Sequence, residues 1–133
     1  MAKSTNDYFN ALLPENSGDW EIIEGTDGLV EYKTLSEDVN GDYTRLTRFR
    51  AGADTTSFGA ISHLYPEEVF IVSGRMYDGS VKKWLECGDY ASRPPYELHG
   101  PFTTEIECIV LEMSYPSQSV QEKVSVNIKD NSV

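Results

Sequence analysis

The chain has 133 residues, 39% hydrophobic and 25% charged, with 22 acidic against 11 basic residues and a formal net charge of −11. That length suits one core and is too short for two. The acidity argues against a nucleic-acid partner, because basic side chains gather only at Arg45, Arg48 and Arg50, and no run approaches the ~20 apolar residues that span a bilayer.

Met1 to Asp7 lack the apolar stretch of a secretion signal, so a cytoplasmic location is expected. Residues 5 to 13 predict one short helical turn before Pro14. From there turn residues recur every few positions: Asp27-Gly28, Asn40-Gly41-Asp42, Asp78-Gly79, Gly88-Asp89 and Pro94-Pro95. The segments between them are rich in β-branched and aromatic residues, notably Tyr43 to Phe49, Glu68 to Ser73 and Ile106 to Tyr115. This spacing predicts an all-β sandwich or barrel of antiparallel strands rather than a βαβ fold. Residues 1–133 are read as one domain: N-terminal strands within 18–40, a core over about 42–116, and a tail over 117–133. In the tail Val120, Val124, Val126 and Ile128 alternate with polar residues as in a last strand. Nothing points to an oxidising compartment, so Cys87 and Cys108 are expected as free thiols.

Alternation in a strand decides which side chains can meet. Gly59, Ile61 and His63 fall on one face. After a tight turn at Leu64-Tyr65-Pro66, Glu67, Val69, Ile71 and Ser73 share a face on the returning strand, which points Glu68 outward. Such a hairpin sets His63 opposite Glu67, and His99 comes from a separate strand. Two histidines and one carboxylate make a facial metal site. A lone histidine in a strand protein is more often a surface or hydrogen-bonded core residue, so the weight rests on the neighbours each one keeps. No GxSxG elbow, no phosphate-cradling GxxxxGK[ST] and no CxxC pair competes.

Those neighbours resemble two signature motifs. The stretch Gly52 to Gly74, with Ile61-Ser62-His63, Glu67 and the closing Gly74, resembles the first cupin motif, G(X)5HXH(X)3,4E(X)6G. Gly88, Pro94-Pro95-Tyr96, His99 and Thr103 resemble the second, G(X)5PXG(X)2H(X)3N. Tyr65 to Phe70, Gly88-Asp89-Tyr90 and Arg93-Pro94-Pro95 are similar to acetylacetone-cleaving dioxygenases and to the cupin domain of ChrR-type anti-sigma factors.

The resemblance implies a jelly-roll barrel, the double-stranded β-helix. It also implies one divalent metal ion, Fe(II) in the first instance with Zn or Mn as alternatives. His63, Glu67 and His99 would hold it, with Glu67 also placed at the chemistry. Cupins usually use three histidines and one glutamate, and here Ile61 stands where the first histidine would be. A metal-free pocket therefore remains open. Phe58, Ile61, Val69, Ile71, Tyr96 and Phe102 would wall the substrate pocket, and Arg48 could reach an anionic substrate unless surface carboxylates hold it. The implied activity is a dioxygenase using O2 on a carbonyl or β-diketone-like small molecule. Redox-neutral cyclases, isomerases or lyases and a non-catalytic binding module are the alternatives. A homodimer through exposed terminal strands is expected.

Overall fold

A computed structural model describes residues 3, 4, 8–13 and 20–121. Among the described residues nine strands follow in chain order: β1 (Glu21–Ile22), β2 (Val30–Glu37), β3 (Tyr43–Phe49), β4 (Glu67–Ser73), β5 (Arg75–Asp78), β6 (Lys83–Glu86), β7 (Tyr90–Arg93), β8 (Phe102–Thr103) and β9 (Cys108–Ser114). They form a six-stranded sheet, β1-β2-β3-β9-β4-β7, and a three-stranded sheet, β6-β5-β8. Every pairing is antiparallel, the architecture expected from the turn spacing. No helix among the described residues is long and apolar enough to cross a membrane.

The two sheets bury one apolar cluster. Val30, Phe49, Val69, Ile71, Cys108 and Val110 come from the larger sheet, and Met76 and Phe102 from the smaller. In β4, Glu67, Val69 and Ile71 are buried while Glu68 and Phe70 are not, the period of two that a half-buried strand requires. A bulge between Ile71 and Ser73 precedes Gly74, which turns the chain into β5 with φ +72°. A Cβ there would lie 1.9 Å from the Glu107 carbonyl oxygen, so only glycine fits.

The outer face of the larger sheet is also partly covered. Lys3 Nζ reaches Thr44 Oγ1 at 2.7 Å and Lys33 Nζ reaches the Ala11 carbonyl at 3.3 Å. On this face Leu46 is buried, although its alternation points it away from the main core.

The strand over Gly59 to His63, and with it the hairpin onto Glu67, does not form: the segment contributes a single bridge, Ile61 to His99, and β4 pairs with β7 and β9 instead. The loop is tied to the His99 segment rather than folded back on its neighbour. The early helical element is only a turn at residues 11–13, with Leu13 N–H bonded to the Asn10 carbonyl at 3.3 Å, and residues 5–7 lie outside the described residues. The tail strand over Val124, Val126 and Ile128 also lies outside them, while Pro116–Gln118 form a short 3-10 turn.

Candidate metal centre

Glu67 opens β4 with its side chain on the inner face, in register with Arg93 of β7 on one side and Ser114 of β9 on the other. Both neighbours bind it. Arg93 Nη1 donates to Glu67 Oε2 at 3.1 Å, with both side chains less than a tenth exposed, and Ser114 Oγ donates to Oε1 at 3.3 Å. Glu68 faces the other way, where the Tyr90 hydroxyl donates to it at 2.5 Å and the Tyr115 hydroxyl donates as well.

The two imidazoles approach the same oxygen. His63 Nε2 lies 3.8 Å and His99 Nε2 3.9 Å from Glu67 Oε2, with the two rings 4.9 Å apart. His63 sits in the loop before β4 with its ring stacked on Tyr65, centroids 4.7 Å apart and planes 5° from parallel. Two backbone hydrogen bonds of 2.9 Å between Ile61 and His99 hold the second segment in place. His99 Nδ1 lies 3.3 Å from the Glu97 carbonyl, an acceptor that places the ring proton on Nδ1 and leaves the Nε2 lone pair facing Glu67. Burial, followed by the charges of Arg93 and His63, lowers the His99 pKa to about 4. His99 is therefore neutral at pH 7, the form that can ligate a metal.

The candidate ligand atoms of His63, Glu67 and His99 all lie within 4.8 Å of one another. Ligands at 2.0–2.2 Å on one face of an ion stand about 3 Å apart, so closing by about 1 Å at each imidazole–carboxylate pair, and by at most about 2 Å between any two ligand atoms, would seat a divalent ion. Two nitrogens and one carboxylate oxygen suit iron, zinc or manganese, so the residues present fit a metal. Arg93 competes for the same oxygen, Oε2, and already balances its charge.

A cavity of about 200 Å³ opens beside this cluster, lined on its apolar side by Ile23, Val30, Phe49, Phe58, Ile61 and Phe102. Of the pocket residues expected from sequence, Phe58, Ile61 and Phe102 line it. Val69 and Ile71 face inward but lie within the closed core. Tyr96 is 37% exposed and donates its hydroxyl to the Gln121 carbonyl at 2.8 Å. Arg48 projects from the opposite face of β3: its Nη2 lies 2.6 Å from Glu31 Oε2, and its guanidinium sits 4.2 Å from the Trp20 ring. From β3 it is Arg45 that lines the cavity, bound through Nε to Glu112 at 2.6 Å. Arg45, Thr47, Arg93 and Glu112 are cavity residues that the sequence reading missed. Period-two phasing of β3 on Phe49 would have found Arg45 and Thr47.

A family model described as the ChrR cupin-like domain matches residues 15–117. No curated protein matches the sequence. Among solved structures, an RmlC-like cupin from Shewanella frigidimarina superposes with a TM-score of 0.65 at 20% identity, covering 87% of this chain and 95% of that one. The polyketide cyclase RemF from Streptomyces resistomycificus gives 0.62 at 16% identity, covering 79% and 81%. An acetylacetone dioxygenase from Acinetobacter johnsonii gives 0.60 at 19% identity, covering 85% and 76%.

Proposed function

The chain belongs to the ChrR cupin-like domain family, and from that premise we propose a metal-dependent small-molecule enzyme, a dioxygenase acting on a carbonyl compound of the β-diketone type. The observation that carries the reading is the convergence of His63 Nε2, Glu67 Oε2 and His99 Nε2 within 4.8 Å beside a cavity of about 200 Å³. The acetylacetone dioxygenase among the similar folds supports the substrate class. A bound divalent ion, Fe(II) in this proposal, would supply Lewis acidity and a template for a chelating oxygenated substrate.

The chain's own residues have separable tasks. Arg93 and Ser114 fix the Glu67 carboxylate, and the Glu97 carbonyl fixes the His99 ring. Phe58, Ile61 and Phe102 give the apolar wall that keeps water from the substrate carbons. In this reading O2 is the second substrate, the working form is a cytoplasmic homodimer, and residues 1–133 act as one domain.

The test is oxygen consumption with acetylacetone by Fe(II)-loaded wild type and His99→Ala. Uptake by wild type and its loss in the variant is the expected result, and no uptake above the iron-only background by wild type refutes the activity. One observation favours a second reading, a metal-free binding pocket: Arg93 already neutralises Glu67. A redox-neutral cyclase is the third reading, supported by the polyketide cyclase among the similar folds, and it predicts metal binding without oxygen uptake.

A further inference from the structure

Glu67 is in register with Ser114 and Tyr43 across the sheet, and further along β3 the same inner face carries Arg45 and Thr47 into the cavity. At about 3.3 Å per residue, Thr47 lies roughly 13 Å along the strand from the Glu67 row. Its hydroxyl is buried and, among the described residues, has no hydrogen-bond partner. The other buried threonines differ. Thr26 Oγ1 donates to the Ile23 carbonyl at 2.6 Å, Thr55 Oγ1 accepts from Phe102 N–H at 2.8 Å, and Thr104 Oγ1 donates to the Arg50 carbonyl at 2.7 Å. A valine would fill the Thr47 position without stranding a polar atom, so a buried orphan hydroxyl on a cavity wall implies a partner that arrives with the ligand.

The surroundings narrow that partner. Glu112 lines the same cavity, bound to Arg45 at 2.6 Å, so the pair is neutral overall. A ligand carboxylate would face the Glu112 carboxylate, and an alkyl end would leave Thr47 stranded. A ligand hydroxyl fits, since it accepts from Thr47 or Arg45 and donates to Glu112. At the other end Arg93 cancels Glu67, so a divalent ion there would leave net positive charge that favours an anionic chelating group.

We propose that Thr47 and the Arg45–Glu112 pair form a second polar subsite for a ligand hydroxyl, making the substrate a hydroxylated oxo-acid held at both ends of the cavity. This rests on the metal-centre reading above and goes beyond a β-diketone, whose oxygens all sit at the chelating end, by adding a distal hydroxyl that reaches the subsite. Thr47 is a specificity-determining residue in this scheme.

The test uses the zinc-loaded full chain, which binds without oxidative turnover, and two probes that differ by one group: 2-oxohexanoate and 6-hydroxy-2-oxohexanoate. Calorimetry should show the hydroxylated probe binding at least about tenfold more tightly to wild type. Thr47→Val should remove most of that preference while leaving 2-oxohexanoate within about twofold. Equal affinities in wild type, no binding of either probe to zinc-loaded protein, or an unchanged preference in Thr47→Val would each overturn the subsite. A thermal melt of the metal-free proteins judges the same claim without the metal. Thr47→Val should match or exceed wild type, and a drop of several degrees would mean that the hydroxyl is bonded in the folded protein, which also overturns it. Failure of zinc to bind would refute the metal centre alone, leaving the melt to decide the subsite.

Discussion

Replacing Arg93 with Met isolates the one interaction that a bound metal would have to share. Met keeps much of the aliphatic volume between Glu67 and Phe102, whose ring lies 6.0 Å from the guanidinium carbon, and removes the charge together with the hydrogen bond to Glu67. Glu67 then stays buried with Ser114 at Oε1 and two imidazoles almost 4 Å from Oε2. At 3.1 Å and an effective dielectric constant of about 20, the lost attraction is about 5 kcal/mol. Removing one member of a buried pair typically costs about 3–5 kcal/mol. A loss of about 3–5 kcal/mol in urea denaturation with chelator present is therefore expected, a large share of a total stability of about 5–15 kcal/mol. Added zinc should recover more stability in Arg93→Met than in wild type, because the ion replaces the missing positive charge and no longer shares Oε2. A loss under about 1 kcal/mol in chelator, or equal stabilisation of both proteins by zinc, would refute the reasoning.

Three other outcomes follow from the same geometry. Ile61→His, on the segment bridged to His99 and lining the cavity, should raise zinc affinity at least about tenfold, or 1.4 kcal/mol, and lower turnover; equal affinity and activity would mean the side chain does not reach the ion. Gly74→Ala should cost about 3 kcal/mol or more in thermal or urea unfolding, since it forces a positive φ and a clash with the Glu107 carbonyl; a near-neutral variant would show that the turn relaxes. At pH 8 a thiol reagent should modify exposed Cys87 and leave Cys108 untouched until unfolding, because burial pushes the Cys108 thiol up to about 12 and keeps it protonated; rapid modification of both thiols in native protein would contradict the burial of β9.

The elements that could be read from sequence are those with strong local patterns. Tyr43 to Phe49 emerged with its boundaries intact, because turn residues flank a segment rich in β-branched and aromatic residues. Glu67 rather than Glu68 faces the cavity because of the period of two in β4. Gly59 to His63 has the alternation of a strand but follows a loop, because its conformation depends on a bridge to His99, far away in sequence. Arg45 rather than Arg48 lines the cavity because β3 is phased on inward Phe49. Leu46, on the outer face with Arg48, is buried as well, so apolar residues mark both faces and alternation alone does not pick the inner one. Arg93 is legible only as part of the Arg93-Pro94-Pro95 resemblance, because its pairing with Glu67 comes from the β4–β7 register, which nothing local to either strand specifies.

The central claim is that His63, Glu67 and His99 hold one divalent ion. Elemental analysis of protein purified without an affinity tag or added metal, followed by zinc titration, tests it most directly. One metal per chain is predicted for wild type, with loss of tight binding in His99→Ala, where only two protein ligands remain. No metal in wild type after titration, or full stoichiometry in His99→Ala, would contradict the account.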